Sequence, residues 1–312
     1  MNQLLSIRSF LVVILGLIST LASARTISDL DAVHKAAVQR TLVMRIAKDH
    51  LQMAANVDYQ AARAGLDANV EEFEFLLGQL EHNSPNSAIN QRVLDVKQHW
   101  GALRAAVTLS PNGGNALDVL ETADDLLLKS DLLMRDWQAR LPHHYGDRVD
   151  LAQQQSMLSE RINVLYLAQY IGVDAGWVHD EMNHTVAAYE QGMEALRLAS
   201  HDAAIDPLIV AQLSSNWEYA KLGLEQFSNG KYVPVVMSVT LDSMVKQTNT
   251  LAAAYHIRDR IALNGAVCWH RPAWPPICPT EFLQSGNLSK TISPAGISGA
   301  YCWFRLCIIN AL

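Results

Sequence analysis

Two segments of this 312-residue chain set arginine in the same local surroundings. Arginine carries a planar, rigid fork of N–H donors that matches a planar oxyanion. The first segment reads Ala36-Ala37-Val38-Gln39-Arg40-Thr41-Leu42-Val43-Met44-Arg45-Ile46-Ala47-Lys48, and the second reads Ala152-Gln153-Gln154-Gln155-Ser156-Met157-Leu158-Ser159-Glu160-Arg161-Ile162-Asn163. An offset of 116 residues places Ala36, Gln39, Leu42, Arg45 and Ile46 on Ala152, Gln155, Leu158, Arg161 and Ile162. Arg40 is the one charged member of a seam that steps by three and four residues through Leu30, Val33, Ala37, Arg40, Met44, Ala47, Leu51 and Ala54. A guanidinium there points between helices, where it either meets a ligand or snorkels toward water as a structural group. Arg45 lies about 140° around the helix from Arg40, on another face. Arg45 and Arg161 are expected to pair with carboxylates or to cap helix ends, because buried charge is normally paired.

Other reactive residues offer less. His143-His144 falls in a loop without further metal ligands, and His179 and His184 are spaced five apart, which is not the helical zinc-protease pattern. Cys268, Cys278, Cys302 and Cys307 all lie near the C-terminus at spacings that match no standard zinc finger; in an oxidising compartment they are expected to form disulfides in a pairing the sequence does not choose. There is no glycine-rich phosphate loop, nucleophile elbow or paired-carboxylate motif, so no catalytic residue, metal or cofactor is expected.

The elements that must hold the two arginine segments are helices. Helical periodicity runs from Ile27 to about Val57, Val70 to Leu80, Ala88 to Leu109 and Ala116 to Leu141, broken at Asn83-Ser84-Pro85-Asn86, Pro111-Asn112-Gly113-Gly114 and Pro142. The same order returns over Asp150 to Ile171, Trp177 to Ala199, Pro207 to Phe227 and Val235 to Ile261. The 116-residue offset also pairs Phe73 with Tyr189, Leu77 with Met193 and Leu80 with Leu196, and Trp100 meets Trp217 at 117. The expected fold is all-α: two tandem antiparallel four-helix bundle-like units, 25–142 and 147–261, followed by an irregular tail, 262–312. The tail reads either as a disulfide-stapled appendage or as a stretch translated out of the ancestral frame.

Residues 1–24 read as a signal peptide, with Arg8 in a short basic region, an apolar run from Phe10 to Leu21 and small residues at Ala22-Ser23-Ala24. A periplasmic or secreted protein is expected, tethered by its N-terminus if the segment is not removed. Twenty-four lysines and arginines against 31 acidic residues give a net charge of −7, which argues against nucleic acid as a partner.

Both arginine segments resemble the AGRQRMLSQRIAK-type box of the PilJ N-terminal domain of type IV pilus chemoreceptors and are similar to the box of NarX-type nitrate sensors. The second carries Met157-Leu158-Ser159-x-Arg161 and the first Gln39-Arg40 and Arg45-Ile46-Ala47-Lys48. The resemblance implies an extracytoplasmic, non-catalytic sensor domain in which an arginine from each of two paired box helices grips a small anion such as nitrate. That arginine falls on Arg40 in the first box and on Ser156 in the second; the family glycine falls on Ala37 and Gln153. Gln39, Arg45, Gln155, Ser156 and Arg161 are then structural members of the boxes. A homodimer meeting through the first box would bring two copies of Arg40 together. A membrane signalling or pilus-related protein is implied as the partner that transmits the signal. The alternative is a structural or protein-interaction module that has lost ligand binding.

Overall fold

The computed structural model describes residues 27–142, 144–173, 176–199 and 207–269. Among them the secondary structure is helical, with no strand: α1 (Asp29–Ala54), α2 (Tyr59–His82), α3 (Ser87–Thr108), α4 (Ala116–Gln138), α5 (Asp147–Tyr170), α6 (Gly176–Ala199), α7 (Pro207–Ser228) and α8 (Pro234–Trp269). The all-α expectation holds. The signal segment and Cys278, Cys302 and Cys307 lie outside the described residues, and Cys268 lies outside the described side chains.

Local chemistry sets the helix ends. Ser28 Oγ accepts from the Asp31 amide at 3.1 Å while the Asp31 carboxylate accepts from the Ser28 amide, a reciprocal box that satisfies two otherwise orphaned donors of α1. Asn86 Oδ1 caps α3 by accepting from the Ile89 amide at 2.9 Å. Two boundaries differ from the sequence expectation. α2 begins at Tyr59 rather than near Val70, because Ala62, Leu66 and Asn69 prolong its buried stripe with small or polar residues. α8 continues past Ile261 to Trp269, so any irregular tail begins later than residue 262.

The chain falls into two compact units, Met1–His256 and Ile257–Leu312. The first holds α1 to α7 and α8 as far as His256, and the buried side chains of both repeats within it form one hydrophobic core. Within it α1 packs on α2, α4 and α5, α3 on α4, and α5 on α6. Hydrogen bonds tie α8 to α5 through Ser156 and Asn249 and to α7 through Asn216 and Gln247. The partners of α1 and α5 advance in step: Arg40 meets Asp150, Thr41 meets Gln153, and Arg45 meets Glu160. The two box helices are therefore parallel and nearly in register. Almost every residue of α1 from Leu30 to Met53 is buried, polar ones included.

The repeat extends to side-chain geometry. Phe73 stacks on Trp100 at 4.4 Å and Tyr189 on Trp217 at 4.5 Å. Each indole N–H donates to a glutamate at 3.3 Å, Trp100 to Glu74 and Trp217 to Glu190, and each glutamate pairs with a cation, Arg104 or Lys221. In the last helix of each repeat the offset has grown to 118: Leu126 and Met244, Leu133 and Leu251, and Trp137 and Tyr255 are all fully buried. Among the described residues no helix is long and apolar enough to cross a membrane.

Candidate functional site

Box arginines open the seam between α1 and α5 to charge. Arg40 is 3% exposed; it donates to Asp131 of α4 at 2.8 Å and to Asp150 of α5. Arg135 also pairs with Asp131, at 2.7 Å. Arg161 makes a two-pronged contact with the Asp124 carboxylate, at 2.5 and 3.1 Å, and reaches Glu181 at 3.0 Å. Both terminal nitrogens of each arginine are engaged by carboxylates.

Arg45 differs. Its Nε donates to Glu160 at 2.8 Å, whereas its two terminal nitrogens donate to no described residue, and its side chain is 24% exposed. Glu160 also pairs with Lys48 at 3.2 Å, and Lys48 reaches Asp242 of α8 at 2.7 Å. Burial alone would push the Glu160 carboxyl up, but Lys48 and Arg45 beside it hold it below its usual value. Burial would likewise push Lys48 down, and Glu160, Asp49 and Asp242 reverse that. Burial pushes the neighbouring Asp49 carboxyl up to about 7 against the opposing pull of Lys48; Asp49 accepts from Asn69 at 2.6 Å.

Two cavities flank this seam. The first, about 190 Å³, has Thr41, Leu42 and Gln153 as buried floor, Arg45 and Asn249 as walls, and Glu72 and Ala253 on its exposed rim. His34 also lines it, stacked on His256 at 4.7 Å; burial, with His256 alongside, pushes His34 down to about 4. The second cavity, about 350 Å³, lies toward α4 and is lined by Arg40, Asp131, Arg135, Met157 and Arg161, among others.

The two cavities are counterparts under the internal repeat. Val38, Thr41 and Arg45 of the first correspond to Gln154, Met157 and Arg161 of the second, and Asn249 and Ala253 correspond to Asp131 and Arg135. Charge distribution separates them. Where Arg40 of the second cavity pairs with Asp131 and Asp150, the corresponding positions are Ser156, Asn249 and His34, and Ser156 donates to Asn249 at 2.9 Å in place of the ion pair. Glu181, which holds Arg161, corresponds to Gly65; Asp124 corresponds to Asp242, which Lys48 engages. In the second cavity the arginines are paired with the protein's own carboxylates, whereas in the first the terminal nitrogens of Arg45 meet none.

The remaining box residues are structural in geometry. Gln39 donates to the Phe73 carbonyl at 3.4 Å, and Gln155 sits fully buried against Gly192, where a Cβ would overlap its amide. α2, α4 and α5 pack on α1, and the two boxes pair with each other within one chain. His179 and His184 are exposed, and so is His144, while His143 lies outside the described residues. No group of three or more histidine, cysteine or acidic residues among the described residues is arranged to hold a metal ion.

Sequence reasoning missed Lys48, Asp49, Glu160, Asp242 and Asn249. The signal for Glu160 and Lys48 was their position beside aligned arginines on helices with no polar face. Asp242 and Asn249 were hidden by the drift of the offset to 118. Searches against protein-family models, curated proteins and solved structures find no match for the chain.

Proposed function

We propose that the chain is an exported, non-catalytic binding module, a tandem of the PilJ/NarX-like kind, whose open cavity beside Arg45 takes a small polar ligand. A membrane signalling or pilus-related protein reads its occupancy. The observation that carries this reading is the unpaired fork of Arg45 at a cavity, where the matching fork of Arg161 is taken by the protein's own Asp124. The parallel pairing of two boxes supports the family resemblance, since sensors of that kind use paired box helices. The ligand is placed at Arg45 and not at Arg40 because Asp131 and Asp150 already occupy the terminal nitrogens of Arg40.

Thermal unfolding in the presence of a panel of small polar molecules, nitrate included, tests the reading. A ligand at about 100 times its Kd adds about 2.7 kcal/mol to native stability and raises the Tm. The expected outcome is a saturable rise that disappears when Ala253→Leu narrows the rim. A panel without effect favours the second reading, a helical interaction module. That alternative draws on the exposed apolar side chains Tyr219, Leu222, Val235 and Val239 of α7 and α8.

A further inference from the structure

The open cavity has a built-in reference for what Arg45 is shaped to hold. At the equivalent position Arg161 grips the Asp124 carboxylate with two nitrogens, at 2.5 and 3.1 Å. In the open cavity the matching carboxylate, Asp242, is drawn instead to Lys48 at 2.7 Å, and the second acid, Glu181, is matched by Gly65. Arg45 therefore keeps the arginine of the motif and lacks the protein carboxylate that occupies its fork. A ligand carboxylate completes the arrangement.

Charge bookkeeping then decides between a simple anion and something else. Beside the cavity Arg45 and Lys48 face Glu160, Asp242 and Asp49, so the cations are at least balanced, and Glu72 on the rim adds one negative charge. A bare anion would enter a site with no surplus positive charge. A ligand that brings its own cation finds both Arg45 and Glu72 in the lining of one cavity. Uncharged groups of Thr41, Gln153 and Asn249 line it too, together with His34, whose Nδ1 bonds no described residue. Size narrows the class further: a cavity of about 150 Å³ holds benzene, so about 190 Å³ suits a molecule of roughly six to nine non-hydrogen atoms.

We infer that the open cavity binds a small α-amino acid as its zwitterion, the carboxylate on the Arg45 fork and the ammonium at Glu72. The inference rests on the reading of that cavity as a ligand site and adds the chemical class.

Calorimetric titration of the full chain with each of the common L-amino acids tests it, with acetate, nitrate and methylammonium as single-charge probes. The N-acetyl and C-amide forms of the best binder serve as charge-stripped controls. The expected result is saturable binding of one or a few small amino acids, weakened at least about tenfold by loss of either charge and by Glu72→Gln or Arg45→Lys. Both variants are chosen to fold: Glu72 is exposed, and lysine preserves the positive charge beside Glu160. Acetate or nitrate binding as tightly as any amino acid, with Glu72→Gln strengthening it, overturns the zwitterion and leaves the ligand cavity standing. Silence of every amino acid while another polar molecule gives the saturable Tm rise does the same. Silence of the whole panel overturns both.

Discussion

Glu160 joins two cations that would otherwise be enclosed without a common partner. It is 1% exposed, and Arg45 and Lys48 approach it at 2.8 and 3.2 Å. Breaking a buried pair from one side costs more than the pair contributes, because the remaining charge stays desolvated. Glu160→Gln is expected to lower stability by about 3 to 5 kcal/mol in urea unfolding at an unchanged denaturant slope. His34 gives a pH dependence of definite sign. In the unfolded chain its imidazole takes a proton below about 6.5; in the folded chain, where Asp31, Lys35 and His256 surround it, only below about 4. Between those values the unfolded state binds more protons, so the His34 contribution falls as the pH is lowered through this window. Asp49, held up to about 7, acts in the opposite direction, so the comparison must be between proteins and not between pH values alone. His34→Gln is expected to lose less Tm than the parent between pH 6.5 and 4.5. At this scale the arginines were legible in the sequence and their partners were not. Arg40 and Arg45 stand out by type and spacing, whereas Asp131, Asp150 and Glu160 look like any helix-surface acids until the fold encloses them.

Helices were the most legible level, since apolar steps of three and four residues and the Pro, Gly and Asn breaks mark nearly every one. What escaped was the rank of α1 and α5. A helix covered on all sides has no polar face, and one that buries Gln39, Lys48, Asp49 and His50 along with its apolar residues shows no clean stripe. Gln155 and Gly192 illustrate the tightness that results. Gly192→Ala is expected to destabilise by about 1 to 3 kcal/mol, since the new Cβ overlaps the Gln155 amide and Gln155 is fully enclosed. Pairing it with Gln155→Ala should restore most of the loss in a double-mutant cycle. Two losses that simply add would place the strain elsewhere.

Across the unit Met1–His256, the tandem order read from the sequence is present, but as one core with the two boxes packed lengthwise against each other. Sequence comparison finds two copies and says nothing about which surfaces they turn toward one another. A fragment spanning 27–142 would leave Arg40 without Asp150, Arg45 without Glu160 and Lys48 without both Glu160 and Asp242. That fragment is expected to show no cooperative melting transition. The two repeats in the full chain are expected to melt together, with matching calorimetric and van't Hoff enthalpies; separate transitions for the two halves would contradict a shared core. The parallel pairing of α1 with α5 also bears on how such a joint can change. When a joint is made by two copies of one chain, every mutation arrives on both sides at once, and whatever opens one face opens its mate. Here the faces are inherited separately, so one has kept Arg40 and its acids as a closed rivet while the other has been free to become a mouth.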